Sequence, residues 1–268
     1  GGFNNQELAH IFKSWNEGEL HSYLIGITAG IFHEADDLGD GELIDRIKDS
    51  AKQKGTGRWA SIEALKQGVD ISMITSACTA RIMSNHLDER EKAWQLIHSP
   101  AVGLSPDKES FAAMVREALY TGKIIAYAQG FSLMQDASRL YGWNLDLGKI
   151  ASIFRAGCII QAVFLNDITH AFEAEPKPES LIFDGFFLSR INEHQDSLRQ
   201  AVSTGVMNGL PIPALCNAVS YLDEFRAKAA GANLIQAQRD CFGAHTYERT
   251  DREGVFHHEW RWANDNQH

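Results

Sequence analysis

The strongest constraint on this chain is the run over residues 111–133, where Phe111, Val115, Ala118, Leu119, Ile125, Ala126, Phe131 and Leu133 recur at a helical interval. Apolar groups at that period share a face, and so long a helix must lay the face against other elements. Ser105-Pro106 is the expected start, with serine as cap and proline in the first turn. Tyr141-Gly142 is the expected end, with Gly142 as a left-handed cap. Period-2 alternation rich in β-branched residues occurs over no useful length, so strands are at most incidental. The fold class is all-α: a large multi-helix domain with long central helices and an extended C-terminal tail.

Shorter segments fill out the domain. Asn4-x-x-Glu7 makes a capping box in which Asn replaces Ser or Thr, ahead of Leu8, Ile11, Phe12 and Trp15 at helical spacing. A second stripe is Leu20, Leu24, Ile27, Ile31 and Phe32; the acidic loop HEADDLGDGE follows, and Leu43, Ile44, Ile47 and Ala51 suggest a third short helix. Beyond the break at Lys54-Gly55-Thr56-Gly57, helical segments run through Ile62, Ala64 and Leu65, then through Ile74, Ala77 and Ile82 on to Ile97. Residues 99–106 read as a loop. After the long helix another is expected over about 147–172, and its apolar stretch AGCIIQAVFL predicts burial on most sides at the centre of the fold. Pro176 and Pro178 close it, segments 179–183, 186–208 and 213–229 keep the helical period, and 209–213 is a short rigid connector. No internal repeat with shared punctuation is present.

Composition excludes several functions. The 268 residues, 44% hydrophobic and 22% charged, suffice for one large domain or two small ones with a buried core. A net charge of −10 argues against nucleic acid as a partner, so any anion site must be local. Cys78, Cys158, Cys216 and Cys241 lie far apart without a Cys-x-x-Cys pair, which suggests neither a zinc knuckle nor a disulfide framework but reduced thiols in a cytoplasm. The opening GGFNNQELAHIF lacks a signal peptide's regions, and no apolar run approaches the ~18 residues of a membrane span, so a soluble chain without a membrane partner is expected.

Four cationic or hydrogen-bonding residues invite a chemical reading. Lys54 opens KGTGRW, whose paired glycines could turn backbone N–H groups toward an anion; the spacing does not make a P-loop, and a glycine turn with a solvated lysine is the plainer alternative. Arg81 lies in a helix with apolar neighbours, where it either snorkels, joins an ion pair or holds a ligand. Arg239 and His245 flank Phe242-Gly243 in the tail over residues 233–257, a terminus with little reason to carry such groups. A salt bridge among Gln236, Arg239 and Asp240, with His245 capping the helix, would serve structure alone. His33, Glu34, Asp36 and Asp37, and separately His257-His258-Glu259, lack repeated ligand spacing and read as solvated surface; no metal is expected. No nucleophile motif is present.

The tail NLIQAQRDCFGAHTYERTD resembles the C-terminal tail of the 6-phosphogluconate dehydrogenase family, with Cys241 where relatives commonly have tyrosine. KGTGRW resembles the family's KGTGKW, and Arg81 matches the arginine of its V-F-A-R segment. FKSWNEGEL, YAQGFSLMQDAS and GWNLDLGKIASIFRAGCII occur in the order of the family's helical C-terminal region. That resemblance implies that Lys54 and Arg81 bind substrate, Arg81 through its phosphate, and that Arg239 and His245 cross a homodimer to complete the partner's site. A guanidinium suits phosphate because its planar fork offers paired donors and stays charged. The implied division is a helical domain over 1–232, with 233–268 as the end of the last helix plus a tail reaching the partner subunit.

The implied reaction is the NADP-dependent oxidative decarboxylation of 6-phosphogluconate to ribulose 5-phosphate in the pentose phosphate pathway. Yet no Gly-x-Gly-x-x-Gly fingerprint is present, and the lysine base and glutamate acid of the family are not among these residues. They are expected before Gly1. No catalytic residue is therefore assigned within the chain, no NADP is expected bound to it, and the chain alone is expected to be inactive. A freestanding helical dimer that binds a sugar phosphate or scaffolds a partner is the reading from a different class.

Overall fold

The computed structural model describes residues 1–98 and 107–260. Among them the chain forms eleven α-helices, two 3-10 turns and one small strand pair. Two compact units part at Tyr221 and Leu222, and each is described by itself.

The first unit is organised by α6 (Lys108–Tyr141), 34 residues or about 51 Å of helix. Asp107 caps it by accepting from the Ser110 N–H, and Gly142 ends it at φ 64°. The expected start at Ser105-Pro106 lies outside the described residues. Ala118, Ile124, Ile125, Ala128 and Phe131 are buried along α6, and against them lies α9 (Gly185–Met207), with Phe187, Ile191 and Leu198 turned inward. The Ser197 hydroxyl on α9 donates to the Glu117 carboxylate on α6 at 2.6 Å.

At the N-terminus α1 (Asn5–Asn16) carries the capping box as its sequence predicts, Asn4 accepting from the Glu7 N–H and Glu7 from the Asn4 N–H. The Lys108–Glu7 ion pair, at 2.8 Å, ties α1 to the start of α6. The Asn16 side chain accepts from the Ser22 N–H at 3.0 Å, setting up α2 (Tyr23–Ile31).

Three sequence expectations are corrected. The helix expected around Leu43, Ile44, Ile47 and Ala51 is a single 3-10 turn, Leu43–Arg46, after which the backbone is extended. Four scattered apolar residues cannot offset helix nucleation, and Leu43 is instead held by its N–H bond to the Glu34 carbonyl at 2.9 Å. The segment expected to continue to Ile97 divides into α4 (Ser72–Ser84) and α5 (Leu87–Leu96). Asn85 breaks it, because its side-chain amide donates to the carbonyls of Arg81 and Ala51, at 2.7 and 3.2 Å.

The third correction is the largest. The helix expected over 147–172 is α7 (Leu147–Ile153) and α8 (Leu165–Glu173), and the central helix is α6 alone. Between them Gly157 takes a φ of 66°, and residues 161–163 pair with 21–23 through Tyr23 N–H to Gln161 O at 3.1 Å and Val163 N–H to His21 O at 3.0 Å. Tertiary pairing overrides helix propensity here. Ile159 and Ile160, expected to be buried, are 66% and 42% exposed.

Candidate functional site

Arg81 meets the loop that carries Lys54, through the Lys52 carbonyl, because two helices and that loop are stitched to each other. α3 (Thr56–Gln67) follows the KGTG turn, and α4 packs beside it. A Cβ on Gly57 would sit 3.4 Å from the Cys78 sulfur, so the bare glycine permits that approach. Ser61 and Thr75 share a hydroxyl hydrogen bond of 3.0 Å across the pair.

The start of α4 is held from the core. Ile71 at its N-cap cannot cap it; Asp70 accepts from the Ser72 N–H at 2.6 Å, and the fully buried Gln129 of α6 adds a hold from the core, accepting from the Met73 N–H at 3.1 Å and donating to the Ser72 hydroxyl at 3.3 Å. A buried amide satisfied on both ends fixes the two helices to each other. Arg81, near the other end of α4, inherits that position.

The loop before α3 is laced along the same face. The Arg81 guanidinium donates to the Lys52 carbonyl. The Cys78 thiol donates to Gln53 Oε1 at 3.1 Å, the Ala51 N–H donates to the Ser84 hydroxyl at 3.0 Å, and Arg90 grips the Asp49 carboxylate at 2.6 Å. Lys54 ends this loop, exposed, one residue before the Gly55 turn at φ 102°. Gly55 caps α3 without any side-chain bond, leaving the first amides of a 12-residue helix without a side-chain partner. Such an end attracts anions. The Arg58 guanidinium folds back to the same turn, 3.6 Å from where a Gly55 Cβ would lie. Arg58 at the Gly55 turn, Arg81 at the Lys52 carbonyl and the exposed Lys54 between those two positions in sequence thus concentrate positive charge along one loop of a chain of net charge −10. Arg58 was not singled out by the sequence, where it looks like any charged residue in a first turn.

Arg239 and His245 belong to the second unit, on α11 (Ala232–Gly243) and the turn after it. Both are exposed. The salt bridge that sequence spacing offered between Arg239 and Asp240 does not form: Arg239 Nη1 donates to Gln236 Oε1 at 3.0 Å, while Asp240 is buried at 0% exposure. Asp240 accepts from the Thr246 N–H, His257 Nδ1, the His258 N–H and the Trp260 indole, all within 3.0 Å. Burial pushes its carboxyl up, but these bonds outweigh burial and hold it well below the usual carboxylate range. His257 is therefore a structural partner of Asp240. The strands β1 (Tyr247–Glu248) and β2 (Val255–Phe256) pair antiparallel beyond it.

The helix end is capped by Ala244, whose N–H bonds the Asp240 carbonyl, rather than by His245. The His245 ring lies over Gly243 with Phe242 edge-on at 5.8 Å.

Among the described residues no cluster of His, Cys, Asp and Glu could hold a metal ion, and no helix is long and apolar enough to cross a membrane. Nor do the described residues contain a strand–helix–strand crossover to cradle a dinucleotide pyrophosphate, so NADP does not fit this set of elements, and no chemical step is derived through it.

Comparison with known proteins adds to this geometry. Residues 1–260 match the model of the 6-phosphogluconate dehydrogenase C-terminal domain. A 6-phosphogluconate dehydrogenase, decarboxylating, of Lactococcus lactis is 48% identical over 259 residues, covering 97% of this chain and 55% of that protein. Its namesake in Staphylococcus aureus is 47% identical with the same coverage. The chain thus spans about half the length of the curated relatives it matches. The 6-phosphogluconate dehydrogenase of Plasmodium falciparum, solved in apo form, with its cofactor NADP+ and with its substrate 6-phosphogluconate, superposes with a TM-score of 0.92 at 41% identity, covering 96% of this chain and 56% of that one.

Proposed function

The chain belongs to the 6-phosphogluconate dehydrogenase family, matching its C-terminal domain, and from that premise we propose that it supplies the phosphate-recognition half of the substrate site. The reaction served is the NADP-dependent oxidative decarboxylation of 6-phosphogluconate to ribulose 5-phosphate in a reducing cytoplasm. Lys54, Arg81, Arg239 and His245 are its substrate ligands. Acid–base work falls to none of them.

The observation that carries this reading is Arg81 fixed beside the Lys52–Lys54 loop at the uncapped start of α3. A phosphate dianion placed there meets an Arg81 guanidinium already held by the loop and the free amides of a helix start, with the Lys54 ammonium carried on the same loop. A sugar acid without its phosphate forfeits those contacts. Arg239 and His245 complete the site from a second copy, residues 233–268 serving as the exchanged arm. Homodimerisation is supported by the apolar side chains left in solvent on the first unit, among them Trp59, Leu65, Trp94, Ile153 and Ile159, each more than 60% exposed.

Calorimetric titration of the 268-residue chain with 6-phosphogluconate and with gluconate tests the reading. The phosphorylated acid should bind far more tightly, and Arg81→Ala should weaken it about 10- to 100-fold, the worth of hydrogen bonds to a charged group. No NADPH should form. No binding at millimolar ligand, or an R81A chain with undiminished affinity, would overturn the assignment.

A further inference from the structure

The tail's two proposed ligands are not independent side chains, because a single amide stands between them. Gln236 lies one turn ahead of Arg239 on α11. Its Oε1 accepts from Arg239 Nη1 at 3.0 Å and its Nε2 donates to the Thr246 carbonyl at 2.6 Å. The reverse amide orientation would set N–H against guanidinium and oxygen against carbonyl, so this rotamer alone satisfies both ends.

Thr246 is gripped on its other side as well, its N–H donating to Asp240 Oδ1 at 2.9 Å. That grip has something to resist. Ala244 at φ 50° and Thr246 at φ 61° both occupy the left-handed region that L-residues avoid, a β-branched threonine most of all. His245 lies between them. Left unclamped, the segment would relax toward ordinary φ values and carry the imidazole away. Gly243 allows the ring its place, since a Cβ there would come within 2.8 Å of His245 Nε2.

We infer that Gln236 and Asp240 are positioning residues that hold Arg239 and His245 as one preset unit for the substrate phosphate. The inference rests on the phosphate-recognition reading above and adds residues that touch no ligand themselves. Asp240, itself buried, anchors the turn to His257, His258 and Trp260; Gln236 transmits that anchor to Arg239. Arginine and imidazole therefore reach an anion already spaced, without ordering cost at binding.

The test uses the 268-residue chain and the variants Gln236→Leu, Gln236→Glu and Asp240→Asn, with Arg239→Ala and His245→Ala as controls on the reading itself. Calorimetry with 6-phosphogluconate should show Q236L binding about tenfold more weakly at an unchanged urea midpoint. Q236E, which retains an acceptor for Arg239 but loses the donor to Thr246, should fall between. Without ligand, Q236L and D240N should speed exchange of the Thr246 amide by about tenfold or more and shift the His245 ring resonances in NMR spectra. Undiminished affinity in Q236L while R239A and H245A bind weakly would sink the inference and leave the reading standing. Full affinity in R239A and H245A would sink the reading, and unchanged Thr246 exchange would sink the positioning role on its own.

Discussion

At the residue scale the most informative side chain is one that the proposed function does not use. Lys123 of α6 points its amine into the core, 4.9 Å from the centre of the Phe164 ring, and among the described residues that amine has no hydrogen-bond partner. Burial lowers it to about 8. A lowered lysine means that the unfolded chain holds the proton more tightly than the folded one, so its cost is carried in full below pH 8 and relieved as pH rises toward 10.5. Lys123→Met should therefore raise stability at pH 7 by on the order of 1 kcal/mol, read as a higher urea midpoint, with the gain shrinking above pH 8. An unchanged midpoint, or a gain that grows with pH, would contradict this. Such groups are invisible in sequence, where Lys123 is one charge in an amphipathic run. Lys54 and Arg81 were legible only through the motifs around them; Gln129, which holds α4 in place, looked like an ordinary polar residue because its partners lie far along the chain, and Gln236 was legible as a helical neighbour of Arg239 but not as a partner of the Thr246 carbonyl in the turn.

At the element scale, capping chemistry was readable and tertiary pairing was not. The Asn4–Glu7 box and the Gly142 cap follow from local backbone needs, and both form as the sequence predicts. The stretch 147–172 failed because apolar content signals burial without saying in what. Its residues 154–164 leave the helix to pair with 21–23, and their isoleucines face outward. The second unit shows the same limit, since the knot around Asp240 joins residues up to 20 positions apart. That knot carries a pH dependence of definite sign. Asp240 has a depressed folded value, so the unfolded chain takes up its proton first; the stabilisation of the knot around it should be complete above about pH 5 and be lost as pH falls below about 4. Amide exchange at Thr246 and His258 between pH 2.5 and 7 reads this directly. Rates that stay flat on acidification, after correction for intrinsic exchange, would show that the carboxylate is not what holds the tail.

At the scale of the whole molecule, the all-α class and the family were legible from pattern and motif, while the meeting of Arg58 and Arg81 with the loop before α3 needed the fold. The central claim is that the substrate site is shared between two copies, with Lys54 and Arg81 from one and Arg239 and His245 from the other. Mixing two defective chains tests it most directly. R81A and R239A homodimers should each bind 6-phosphogluconate weakly. A mixed dimer of an R81A chain and an R239A chain has one site that combines an intact Arg81 with an intact Arg239 from its partner, so subunit exchange should restore tight binding at half of the mixed dimer's sites. If mixing restores none, each tail serves its own subunit and the account of the exchanged arm is wrong.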